Sequence, residues 1–146
     1  METSLIEEAL QLQPVDARMY SPLVLAYIGD AVYELLIRTK VVNHGSIQVS
    51  KMHKKSASLV KAETQANMIK LLSDELTEEE QAIYKRGRNA KSATMAKHAA
   101  MIDYRMATGF EALVGYLYLK GDQERLLRLI HDGLEKMGEF SCDTRN

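Results

Sequence analysis

The sequence predicts an all-α protein built as one domain. Helix-starting and helix-stopping residues recur at matched intervals, and apolar residues between them fall near helical spacing. No segment of useful length alternates apolar and polar residues as a half-buried strand does. The 146 residues, 46% hydrophobic and 27% charged, suffice for a real core and argue against disorder.

A short helix over about 4–11 precedes a turn marked by Pro14 and Asp16. Ser21-Pro22 pairs an N-cap with proline at the first helical position, so a helix should run from about Pro22 to Lys40. It ends before the Asn43-His44-Gly45 turn, after which Ser46 can cap a short helix to about Lys55. The next helix, about Ala57 to Leu72, carries Leu59, Val60, Ala66, Ile69 and Leu72 on one side. Thr77-Glu78-Glu79-Glu80 has the form of a capping box and opens a helix to about Lys85. Residues 86–103, rich in Gly, Asn, Ser and Lys, read as less regular. A helix from about Thr108 to Lys120 stops at Gly121, and the last runs from Asp122 to about Met137 before Gly138.

Composition excludes several classes. No run approaches the roughly 20 apolar residues of a membrane span, because Gly29, Asp30 and Glu34 interrupt the longest, so no membrane role is expected. The first residues, Met1-Glu2-Thr3-Ser4, lack the basic start of a secretory signal. The single cysteine, Cys142, rules out an internal disulfide framework and a cysteine zinc cluster, which fits a cytoplasmic setting. The net charge is only −1, but residues 51–105 hold 11 Lys and Arg against 7 Asp and Glu. Five of those acids lie between Asp74 and Glu80, so the rest of the middle third is strongly basic.

Two carboxylates stand out because they sit alone in apolar runs. Asp30 interrupts Leu23 to Ile37, and Glu111 interrupts Phe110 to Leu119. A helix hydrophobic nearly all round belongs in a core or interface, and a carboxylate buried there must be ion-paired, protonated or metal-bound. Glu34 lies four residues after Asp30 and Arg38 four further, so the three share a face; by spacing alone they read as a stripe exposed at an edge of the core, with Arg38 able to neutralise Glu34. Glu111 has no local partner, which leaves a basic residue from elsewhere or a cation shared with Asp30. Oxygen-only ligands suit magnesium or manganese, ions that assist phosphodiester hydrolysis.

The second feature is Lys85-Arg86-Gly87-Arg88-Asn89-Ala90-Lys91-Ser92, donor-rich and suited to phosphate oxygens. Lys51, Lys54, Lys55 and Lys61, with His53, could extend the same surface, and Tyr104-Arg105 follows close after it. Nothing resembles a reader of DNA sequence, so recognition by backbone and shape, as for A-form duplex RNA, is the expectation. Tyr27, Tyr33, Tyr116 and Tyr118 lie in the apolar runs and are assigned to core packing.

Tyr27-Ile28-Gly29-Asp30-Ala31-Val32-Tyr33-Glu34-Leu35 resembles the signature of the ribonuclease III family. Phe110 to Leu119 resembles that family's second acidic motif, and His53 to Ala66 its intervening helix. The resemblance spans about 22–119 in the family's order. The basic 86–91 segment and the short chain, with no room after Lys120 for a double-stranded-RNA-binding domain, point to the Mini-ribonuclease III branch. It implies a single ribonuclease III-like helical endonuclease domain over 1–146, working as a homodimer, cutting double-stranded RNA with magnesium and leaving 5′-phosphates. It also implies maturation of the large-subunit (23S) ribosomal RNA precursor, with a ribosomal protein as a candidate partner. By position, Asp30 and Glu111 match metal-binding acids, and Glu34 is a weaker candidate ligand. Lys85, Arg86, Arg88, Asn89, Lys91, Tyr104 and Arg105 are the candidate RNA contacts. Two acids of the wider family are replaced here by Ala26 and Thr108, and Asp103 could help fill the gap. The dimer contact falls either to the Leu113–Leu119 surface or to the helix from Pro22, and core packing is an equal reading of those leucines.

Three other readings use the same residues. A non-catalytic RNA-binding assembly factor would bind duplex whether or not metal is chelated. A phosphohydrolase built on His131-Asp132 would need further histidines from His44, His53 or His98. A purely structural helical dimer would keep Asp30 and Glu111 as internal salt bridges and leave the basic segment without a role.

Overall fold

The computed structural model describes residues 2–44, 48–90 and 98–140. Among these residues there are seven α-helices and no strand: α1 Thr3–Ala9, α2 Pro22–Asn43, α3 Val49–Val60, α4 Ala62–Leu72, α5 Glu78–Asn89, α6 His98–Lys120 and α7 Gln123–Lys136. Short 3₁₀ turns at Ala17–Met19 and Ser73–Glu75 join neighbouring elements. The all-α expectation holds.

Helix α6 is the central post, packed by α2, α4, α5 and α7. Its apolar run explains that position, since Phe110, Ala112, Leu113, Val114, Tyr116 and Leu117 are all buried. The closest packing is against α2, and glycines allow it. A Cβ on Gly29 would overlap the Glu111 carbonyl oxygen and lie 2.8 Å from the Gly115 nitrogen. A Cβ on Gly115 would overlap the Leu25 carbonyl oxygen. On the other flank, a Cβ on Gly87 of α5 would stand 2.8 Å from the Ala112 Cβ. Small residues therefore set how closely two helices approach the post.

The start of α5 is fixed by the expected capping box, in which the Thr77 hydroxyl accepts from the Glu80 amide and Glu80 accepts from the Thr77 amide. Glu80 also takes two 2.8 Å hydrogen bonds from Arg125 of α7, whose guanidinium donates further to the Glu75 carbonyl. Burial works to raise the Glu80 carboxyl, but the Arg125 and Thr77 hydrogen bonds outweigh it and hold Glu80 below its ordinary value. This pair pins α7 to the bundle.

Several boundaries differ from the sequence expectation. The break in the 49–72 region falls at Lys61, in extended conformation, rather than near Ser56, which is buried within α3. Side chains compensate the break: Thr64 donates to the Ser58 carbonyl at 2.6 Å and Gln65 to the Val60 carbonyl at 2.7 Å. Helix α5 runs on to Asn89, and α6 begins at His98 instead of Thr108. Ala100, Met101, Met106 and Ala107 are good helix formers. Thr108 does not cap; its hydroxyl bonds back to the Tyr104 carbonyl at 2.9 Å. The proposed Ser46 cap lies outside the described residues.

Two packing expectations are corrected. Leu113, Val114, Tyr116 and Leu117 fill the protein's own core, so that surface is not free for a dimer contact. Tyr27 is 82% exposed rather than buried, because α2 turns its Leu25, Gly29 and Tyr33 side to the core. The opposite side shows Leu23, Val24, Tyr27 and Leu35 to solvent.

The overlap at Gly29 is with backbone, which no rotamer change relieves. Gly29→Ala should therefore cost roughly 3 kcal/mol of stability, measurable as a lower urea midpoint at unchanged slope.

Candidate active site

The α2–α6 crossing decides where the two isolated carboxylates go. Gly29 meets the backbone of Glu111, so Asp30, the next residue on α2, is brought to the Glu111 side chain. The two carboxyl groups lie close enough for each charge to act on the other. Glu111 is half-buried, whereas Asp30 is exposed at the rim, in line with the stripe of Asp30, Glu34 and Arg38 along an exposed edge of the core. Burial, with the adjacent Asp30 charge second, pushes the Glu111 carboxyl up to about 8. A hydrogen bond from Gln65 Nε2, at 3.3 Å, works in the opposite direction.

Among the described residues, no Lys or Arg forms a salt bridge with Asp30 or Glu111. Among the described residues, the basic-partner alternative for Glu111 therefore finds no candidate. Glu34 does not join the pair: its carboxylate is bridged to Arg38 at 2.7 Å, the local neutralisation that their spacing allows. Among the described residues, no third His, Cys, Asp or Glu gathers with Asp30 and Glu111 within ligand distance, Asp103 included. Ala26 and Thr108 are both buried, and the Thr108 hydroxyl is used within its own helix.

Behind Glu111 the site is stiffened by aromatic packing. The Tyr33 and Phe110 rings meet edge to face at 5.3 Å, and the Tyr33 hydroxyl donates to the Leu59 carbonyl at 2.8 Å. Burial pushes the Tyr33 phenol well above its usual range, so it remains a neutral donor.

The basic residues line the neighbouring flank. Lys85, Arg86 and Asn89 are exposed on the last turns of α5, where cations also complement the helix dipole. Arg88 lies over the Tyr84 ring at 5.7 Å and donates to Asn89 Oδ1 at 3.2 Å. Gly87, between them, touches α6 at Thr108, Gly109 and Ala112, level with Glu111. Tyr104 and Arg105 are exposed on α6 itself, and Tyr104, Thr108 and Glu111 follow one helix face. Lys91 lies outside the described residues. A cavity of about 380 Å³ extends this surface to Lys70, which the sequence reading did not include.

Gln65 is the other residue that sequence reasoning passed over, although it lies within the quoted 53–66 segment. Its only sequence signal was a polar residue near the apolar positions Ala66, Met68 and Ile69. The His131-Asp132 dyad gathers only Glu135, on the outer side of α7, and no second histidine joins it among the described residues. His131 instead stacks on Phe140 at 5.0 Å.

The family model of the Ribonuclease III domain matches residues 23–122, which contain both acidic motifs. The chain belongs to the ribonuclease III family. It is 53% identical over 112 residues to the Mini-ribonuclease 3 of Clostridium tetani, covering 76% of this chain and 74% of that protein. The Mini-ribonuclease 3 of Enterococcus faecalis is 46% identical over 126 residues, covering 85% and 96%. A crystal structure of a Fusobacterium nucleatum protein superposes with a TM-score of 0.75 at 30% identity, covering 84% of this chain and 99% of that one. The resemblance read from the two motifs is borne out, including the Mini-ribonuclease III branch, and this ribonuclease III chain is an endoribonuclease.

The raised Glu111 carboxyl has a thermodynamic sign. From an ordinary value of 4.5, the unfolded chain loses this proton first, while the folded ribonuclease keeps it to about pH 8. Stability should therefore fall as pH rises through that window, with the whole penalty present above it. In EDTA, Glu111→Gln should melt at a higher temperature than wild type near pH 9 and at the same temperature near pH 4, by calorimetry.

Proposed function

We propose that this chain cuts double-stranded RNA by cation-assisted hydrolysis at a site formed by Asp30 and Glu111. The supporting observation is the meeting of these two carboxyls across the α2–α6 crossing with no basic partner among the described residues. Like-charged acids held together in a partly buried place are stabilised by a proton or by a cation. The donor set fits magnesium or manganese, because every available ligand atom is a hard oxygen.

Asp30 and Glu111 would hold the ion, one from each helix. When bound, such an ion polarises a phosphate oxygen and acidifies water. Glu34 remains with Arg38 and takes no ligand role. Lys85, Arg86, Arg88 and Asn89, with Lys91 beyond them, grip the RNA backbone and screen its charge. Tyr104 and Arg105 extend that grip along α6. Water attacks phosphorus and the bond to the 3′ oxygen breaks, which leaves a 5′-phosphate and a 3′-hydroxyl.

The reading extends to substrate and assembly. A basic surface without base-reading motifs suits the shape of an A-form duplex. In keeping with the branch resemblance, the terminal duplex of the large-subunit (23S) ribosomal RNA precursor is the proposed substrate, in the cytoplasm, with a ribosomal protein as candidate partner. Among the described residues no helix is long and apolar enough to cross a membrane. Residues 1–146 act as one catalytic domain in this reading. The exposed apolar side of α2 favours a homodimer, since it shows Leu23, Val24 and Tyr27 to solvent, and its Ile28, Val32 and Leu35 line a groove of about 280 Å³. One site per subunit then cuts both strands.

Purified protein should cleave long duplex RNA in magnesium and not in EDTA, and folded Asp30→Asn and Glu111→Gln should bind duplex without cutting it. Duplex binding with no cleavage by wild type at any magnesium concentration would instead indicate a non-catalytic assembly factor. Arg86→Ala and Arg88→Ala should each lower the salt dependence of duplex binding by about one in logarithmic slope. Tyr27→Asp should shift the protein from dimer to monomer in sedimentation equilibrium, and an unchanged mass would remove α2 as the dimer contact.

A further inference from the structure

Gln65 is 2% exposed, in the first turns of α4 just beyond the Lys61 break. Its Nε2 donates to the Val60 carbonyl at 2.7 Å and to Glu111 Oε2 at 3.3 Å. The Val60 carbonyl can only accept, so the amide orientation is fixed, because a flip would set oxygen against oxygen there. Oε1 is then left without a donor. Among the described residues it is the only buried side-chain nitrogen or oxygen with no hydrogen-bond partner.

Such an orphan is costly, and native proteins avoid it unless something answers it. A leucine would occupy similar volume between Thr64 and the buried Ala66, Met68 and Ile69 without that cost. The tie to Val60 accounts for the donor end of the amide but not for its oxygen. One amide carbon separates that oxygen from the nitrogen that holds Glu111. Magnesium in particular keeps several of its waters when bound, and those waters are strong donors.

We propose that Gln65 is a positioning residue of the cation site, holding the Glu111 carboxylate through Nε2 and accepting through Oε1 from a water of the cation's hydration shell. This rests on the reading that Asp30 and Glu111 bind the cation. Partners of this outer kind typically change metal affinity ten- to a hundredfold.

The test is Mn²⁺ binding to RNA-free protein at pH 8, followed by the paramagnetic resonance of free Mn²⁺, for wild type, Gln65→Leu, Gln65→Glu and Asp30→Asn. Asp30→Asn should lose binding. Gln65→Leu should bind about ten- to a hundredfold more weakly. Gln65→Glu, which keeps acceptor oxygens but gives up the donor to Glu111, should bind more weakly than wild type and more tightly than Gln65→Leu. Wild-type affinity in Gln65→Leu, while Asp30→Asn has lost it, overturns the role of Gln65 and leaves the metal site standing. Loss in Gln65→Glu as severe as in Gln65→Leu assigns Gln65 to the Val60 tie alone and also overturns it. Unchanged binding in Asp30→Asn removes the metal site itself, and the Gln65 role with it. If Gln65→Leu does not fold, the Gln65→Glu comparison with wild type decides by itself.

Discussion

The backbone-to-backbone approach of α2 and α6 is the constraint on which the rest of the structure depends. Gly29 and Gly115 face carbonyl and amide groups of the opposite helix, with no space for even a methyl group. That contact fixes both the separation and the register of the two helices. Asp30 and Glu111 are neighbours because each adjoins it. A larger residue at either glycine would move the acids apart before it disturbed the hydrophobic core around Tyr33, Phe110 and Leu113.

The fold treats its buried acids in two ways. Glu80 is fully compensated: Arg125 binds both its oxygens, the Thr77 amide adds a third hydrogen bond, and its charge is retained. Glu111 has burial, a second carboxylate and one long amide contact, and its charge is disfavoured. The first arrangement holds helices together. The second keeps an unfavourable electrostatic state in place with helix packing, as functional sites commonly do.

Much of this was legible in the sequence, and the misses have physical causes. The caps at Ser21, Thr77 and Asp122 formed because capping is local chemistry, readable from a few residues. Isolated acids in apolar runs identified Asp30 and Glu111, and the structure brings them together. Which side of α2 faces inward was not fully legible, because the helix is apolar nearly all round; the exposure of Tyr27 followed from that. Gly109 lies inside α6 because its small size is needed against Tyr84. Gln65 stayed hidden because its burial depends on a helix break at Lys61, a residue with no breaking tendency of its own.

Helix α6 is a single uninterrupted element from His98 to Lys120, buried from Ala107 to Leu117 except at Glu111, and with Ile102, Tyr104 and Arg105 exposed ahead of that stretch. A continuous helix advances 1.5 Å per residue, so Tyr104 and Arg105 are held about 9–10 Å from Glu111 along its axis. No loop between them can absorb a mismatch. Whatever grips the projecting half of this helix is measured against the carboxyl pair as if by a rigid ruler, and the spacing is set before any ligand arrives.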